Sequence, residues 1–240
     1  MRRHFIMALL ATAAVMPLTT NANEHKDTDI ALADDKGGIE PTLEADIVSR
    51  FIWRGQDYGS VSLQPTVGLT WRGLSLTAWG NVGLTQSDYN EVDLTIGYEH
   101  PCGLHLSLTD YWAAEGRLAD NHVVEGNIGF DFGPLSLDWY TNFAGDYDRT
   151  DTGRQAYSSY VEANVPFRLL TCDWTATIGA VPFRTDFYDS ASGFAVVNIG
   201  LLVEKEIAVT PRFGIPLFAG AAANPSNKGL YLWCGLTIGI

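Results

Sequence analysis

Residues 91–110 read EVDLTIGYEHPCGLHLSLTD. Val92, Leu94, Ile96 and Tyr98 alternate with Glu91, Asp93, Thr95 and Gly97, and beyond Pro101-Cys102-Gly103 the alternation resumes as Leu104, Leu106 and Leu108 against His105, Ser107 and Thr109. Successive side chains of a strand point to opposite faces, so each arm carries one apolar and one polar face. Pro and Gly between the arms predict a tight turn. The stretch therefore reads as an antiparallel hairpin with unlike faces.

The same period of two extends in both directions, marking twelve segments between Leu43 and Ile240. The first apolar row runs Leu43, Ala45, Ile47, Ser49, Phe51, Trp53; the tenth Ala195, Val197, Ile199, Leu201, Val203; the eleventh begins at Ile207 and takes in Pro211. Across all twelve rows one residue is ionised at neutral pH, Asp110, whereas the intervening positions carry sixteen, including Arg50, Arg54, Glu91, Asp93, Glu125, Asp138, Glu162 and Arg212. A soluble sandwich also alternates, so charge segregation alone does not decide the surroundings.

Connection length decides them. Tight turns are read at Arg72-Gly73, Pro101-Cys102-Gly103, Gly133-Pro134, Arg168-Leu169 and Glu204-Lys205-Glu206. Longer polar connections follow the odd-numbered segments, among them Gln56-Asp57-Tyr58, Gln86-Ser87-Asp88, Glu115-Gly116-Arg117 and residues 146–155. Short turns at one end, long loops at the other and an even number of strands of about ten residues are the pattern of an outer-membrane barrel. Aromatic residues cluster toward both ends, Trp53, Trp112, Tyr140, Phe143 and Tyr157 on one side and Trp71, Tyr98, Phe132, Phe167 and Trp174 on the other, as interfacial girdles do. The expected fold is all-β: a closed, antiparallel, up-and-down transmembrane barrel over residues 42–240. Pro65, Pro211 and Pro216 inside segments each remove a ladder donor and predict bulges or gaps.

The composition agrees with that fold. The chain has 240 residues, 46% hydrophobic, 12% aromatic and only 18% charged, with a formal net charge of −13. Nucleic-acid binding needs basic surface to displace phosphate counterions, which excludes DNA or RNA as the main partner. There is no apolar run of about 18 residues, which excludes a bundle of membrane helices. Arg2-Arg3 followed by an apolar stretch to Met16 and by Thr20-Asn21-Ala22 reads as a secretory signal peptide over residues 1–22, and residues 23–41 as a flexible polar tail. Cys102, Cys172 and Cys234 have no metal-ligand spacing; one pair at most can bridge.

Residues 46–100 resemble a family of outer-membrane porins of Gram-negative bacteria. The resemblance is carried by Ser49-Arg50-Phe51-Ile52-Trp53-Arg54-Gly55, by Gln64-Pro65, by Thr77-Ala78-Trp79-Gly80-Asn81 and by the arm from Glu91 to Tyr98. It implies an exported barrel that passes small solutes, and it carries no catalytic residues. The last strand ends in Ile240, where many such barrels present an aromatic residue to the assembly machinery.

With apolar rows on lipid, the charged rows face the lumen, eleven acidic against five basic. The expected function is passive diffusion of small hydrophilic solutes with a preference for cations, along Arg50, Arg54, Glu91, Asp93, Glu125, Asp138, Glu162 and Arg212. These groups can also pair, Arg50 and Arg54 with Glu91, Asp93 or Glu125, and fill the barrel. Two alternatives stand beside the channel: a plugged barrel acting through its loops as adhesin or scaffold, and a lipid-modifying enzyme using His122, which sits beside Asp120. No motif requires a cofactor or metal, and the run from Asp146 to Asp151 lacks the Gly and Glu of a calcium loop. The expected partners are outer-membrane lipid, lipopolysaccharide, the outer-membrane assembly machinery and small hydrophilic solutes.

Overall fold

A computed structural model of the chain describes residues 38–85, 89–114, 117–188, 190, 193–210 and 213–239. The expected signal peptide, most of the tail and Arg212 lie outside these residues.

Twelve antiparallel strands close into a barrel. They are β1 (Glu40–Val48), β4 (Ser62–Trp71), β5 (Leu74–Gly83), β6 (Glu91–Glu99), β7 (Leu104–Ala113), β8 (His122–Asp131), β9 (Ser136–Gly145), β10 (Ser159–Leu169), β11 (Cys172–Val181), β12 (Ala195–Thr210), β13 (Phe213–Asn224) and β14 (Gly229–Gly239). Each pairs with its neighbours in sequence, and β1 closes the ring between β14 and β4. The sheet so formed has no free edge, and every ladder is satisfied within the wall.

The outward face is apolar in all directions, with Val67 at 53%, Leu76 at 59%, Leu94 at 54% and Ile128 at 54% exposure. Next to Val67 and Leu94, Gly68, Asp93 and Thr95 are buried inside. A protein surrounded by water does not expose an apolar belt of this extent.

The wall departs from the sequence reading at four places. The first segment does not run to Trp53: β1 starts at Glu40, inside the expected tail, and ends at Val48. Residues 51–59 leave the wall as a separate hairpin, β2 (Phe51–Trp53) and β3 (Gln56–Gly59). The turn expected at Arg168-Leu169 falls at Leu170 and Thr171, both at positive φ, as a hairpin of this hand requires. No turn occurs at residues 204–206, where β12 continues to Thr210 with Glu206 opposite Pro216. Glu204 and Glu206 fall on the inward row, and Lys205, on the outward row, donates from Nζ to the Thr171 hydroxyl at 3.0 Å. Val197 does not keep to the outward row either. Gly179 pairs with Asn198 and Ala180 with Val196, so Val197 is the extra residue of a bulge and is fully buried inside.

Of the prolines, Pro65 sits at the expected gap, between the Leu63–Val82 and Thr66–Trp79 pairs, while Pro216 is accommodated in register. Among the girdle residues Trp71, Tyr98, Phe132, Phe143, Tyr157 and Phe167 are exposed. Trp53 and Tyr140 instead turn inward, for the reason given next.

Candidate functional site

The β2–β3 hairpin folds into the lumen at the long-loop end. Its tip has φ of 45° at Arg54 and 75° at Gly55, a tight two-residue turn with both central residues left-handed. Only Gly fits the second position, because a Cβ there would lie 2.0 Å from the Val197 carbonyl oxygen on β12. Asn224, at the end of β13, donates from Nδ2 to the Gly55 carbonyl at 3.0 Å. The tip therefore lies against β13 and β12, two and three strands round the ring from β1.

Aromatic packing fills the space behind the tip. Phe51 meets Trp79 of β5 at 5.6 Å between ring centroids, and Tyr58 packs on Phe51 at 5.4 Å and Trp53 at 5.8 Å. Trp53 contacts Tyr111 of β7 and stacks at 5.7 Å on Tyr188, which descends from the loop between β11 and β12 and stacks in turn on Tyr160 of β10. Burying each such side chain contributes about 1.5–3 kcal/mol.

At the centre lies Arg54. Its Nη1 and Nη2 donate to Glu125 of β8 at 2.6 and 3.0 Å, and Nη1 donates also to the Tyr188 hydroxyl. Its guanidinium carbon is 4.0 Å from the Tyr140 ring, 4.4 Å from Trp53 and 4.6 Å from Tyr160. Tyr111 donates to Glu125 Oε1 at 2.9 Å. Both charges are withdrawn from water, at a cost of several kcal/mol each. Two parallel hydrogen bonds offset that cost, as do ring faces each worth about 2 kcal/mol when desolvated.

Loops seal the mouth. Asp148 accepts from the Ser158 amide at 2.9 Å and hydroxyl at 2.7 Å, and Ser158 also bonds the Thr185 hydroxyl, tying residues 146–158 to the segment around Thr185. Burial pushes the Asp148 carboxyl up and outweighs the Ser158 bonds, and burial likewise pushes the Tyr188 phenol up, keeping it neutral. Asp146 accepts from the amides of Asn121 and His122, so the acidic run braces loops.

The lumen thus has two halves. Toward the long loops, inward side chains from many strands are shut off from solvent: Glu91, Asp93, Glu125, Asn142, Tyr160 and Val197 are at most 3% exposed. Toward the short turns, Ser107, Asp138, Glu162, Asn164, Thr177 and Glu204 are partly exposed. There His105 Nε2 meets Asp138 Oδ1 at 2.7 Å across Gly129, whose missing Cβ makes room for both.

Of the residues the sequence placed along the lumen, Arg54, Glu91, Asp93 and Glu125 lie in the sealed half, and Asp138 and Glu162 in the accessible half. Arg50 stays at the surface, half-exposed and 3.4 Å from Asp57 of its own hairpin. The sequence reading puts none of Tyr111, Tyr140, Tyr160, Tyr188 and Asn224 in the lumen, and assigns Tyr140 to a girdle. The first three alternate onto the polar row, a signal that was available; Tyr188 sits in a loop, where periodicity says nothing. His122 pairs with Asp110 at 2.9 Å, not with Asp120, and its other nitrogen lies 2.7 Å from the Leu118 carbonyl. Both ring nitrogens are thus taken up on the outer wall.

No protein-family model and no curated protein matches the chain. Among solved structures the chain is similar to the NanC porin in its rhombohedral crystal form, over 83% of this chain and 98% of that one, at a TM-score of 0.46 and 8% identity.

Proposed function

We propose that this protein is an outer-membrane barrel forming a narrow channel for small hydrophilic solutes, held shut at its outer half by the β2–β3 hairpin. One observation carries this reading: β1 pairs with β4 along its whole length, from Glu40–Thr70 to Val48–Ser62, without using any residue of the hairpin. The wall is complete with the plug aside. Withdrawal of residues 51–59, with the loop clasp at Asp148 and Ser158 released, would join the accessible inner lumen to the outside while every wall ladder stays intact. The apolar belt supports hydrocarbon surroundings, with lipid and lipopolysaccharide as neighbours and the assembly machinery as the route of insertion. Inward carboxylates on β6, β8, β9 and β10 support a preference for cations.

Planar-bilayer recording tests the proposal. The wild-type chain is expected to give rare, small openings, and a variant with residues 51–59 replaced by a short Gly-Ser link steady cation-preferring current. A link variant that folds but passes no current overturns the channel. That outcome would favour the second reading, which the closure also supports: a permanently plugged scaffold that presents its loops.

A further inference from the structure

We infer that the Arg54 pocket is a recognition site for a guanidinium-bearing solute, and that Arg54 occupies it as a built-in surrogate while the barrel is shut. The inference rests on the channel reading and names its solute class.

The pocket belongs to the wall. Glu125 comes from β8, Tyr111 from β7, Tyr140 from β9, Tyr160 from β10 and Tyr188 from the β11–β12 loop; of the groups around the guanidinium only Trp53 travels with the hairpin. When the tip withdraws, a carboxylate with two oxygens set for a planar fork remains, flanked by ring faces about one stacking distance away. That combination suits a guanidinium better than a compact ammonium, which cannot make two parallel bonds or lie flat on a ring. Glu91 and Asp93 lie close by on the same inward face of the wall and are buried with the pocket.

The surrogate is an imperfect occupant. Arg54 is 2% exposed, yet among the described residues its Nε has no hydrogen-bond acceptor, and neither has the indole Nε1 of the adjoining Trp53. Buried donors in folded proteins are almost always satisfied, because leaving one bare forfeits its hydration. A free guanidinium is not bound by the hairpin's geometry and can turn its remaining donors toward Tyr hydroxyls or water. An incoming solute then competes with Arg54 for Glu125, and its binding holds the hairpin out.

The test removes the surrogate and supplies the ion. Arg54→Ala and, to preserve volume, Arg54→Met are prepared in the full chain, each with and without Glu125→Gln. Thermal unfolding in detergent is followed in low-millimolar guanidinium chloride against sodium chloride of equal ionic strength. Saturable stabilisation of either single variant by guanidinium is expected, with none for wild type or for the Glu125→Gln pairs. In bilayers the same ion is expected to reduce the current of the single variants at least severalfold. Equal stabilisation by methylammonium, or a guanidinium response unchanged by Glu125→Gln, overturns the inference. Because unfolding reads binding without conduction, a protein that binds guanidinium but never conducts fails the channel and retains the pocket.

Discussion

Arg54 and Glu125, 71 residues apart in the chain, meet in a two-pronged ion pair at the centre of the sealed lumen, with side chains 0% and 3% exposed. One charge sits on the β2–β3 hairpin and the other on the wall. Deleting a partner strands the other in a dry site. Glu125→Ala should therefore weaken the docked state by about 3–5 kcal/mol. The double variant Arg54→Met/Glu125→Leu should recover most of that loss, since an apolar pair carries no desolvation cost. Denaturant unfolding in micelles measures both; a double variant as unstable as the sum of the singles would contradict the account.

Gly55→Ala is expected to undock the hairpin without touching the wall. Left-handed backbone costs a residue bearing a Cβ about 1–2 kcal/mol, and that Cβ would fall 2.0 Å from a backbone oxygen, which no side-chain rotation relieves. Bilayer current should rise toward that of the hairpin-replaced variant. A Gly55→Ala protein as silent as wild type would show that the tip is not what closes the lumen.

The two faces of β7 should respond oppositely to charge. Leu108 is exposed on the outer wall and Ser107 turns inward. Leu108→Arg places a guanidinium in hydrocarbon, at about 2–4 kcal/mol near the midplane. Ser107→Arg should cost far less and shift ion preference toward anions. Folding yield into lipid vesicles and reversal potentials distinguish the pair; equal tolerance at both positions would mean that lipid does not surround the barrel.

Acid should loosen the loop clasp at Asp146. Desolvation works to raise its carboxyl, but the amides of Asn121 and His122 prevail and hold it below its ordinary 3.8. A depressed folded value gives stability that is present above the unfolded pKa and lost as pH falls through the folded one. The clasp should thus stay closed at pH 5 and release only below about pH 4. Carboxyl-carbon NMR titration checks this, and Asp146→Asn should abolish the transition.

Much of the barrel was readable from residues 91–110 and their repeats, because one rule of alternation holds along every strand of the wall. Leu94 and Asp93 cannot exchange faces without carrying a charge onto the apolar outer belt, so local alternation suffices to set the register of the wall. The rule breaks inside the barrel. Phe51 and Trp53 continue the apolar row of β1 in sequence, yet they sit in the lumen because the aromatic surfaces of Trp79, Tyr111 and Tyr188 offer them burial there. Periodicity reports that a side chain is apolar and cannot report which of two apolar surroundings it occupies. The sequence by itself determined a closed wall with a greasy outside and an ionisable inside. Only the tertiary structure decided that Arg54 spends its charge on Glu125, since that choice depends on a hairpin crossing the barrel to strands far along the chain, a contact no local pattern encodes.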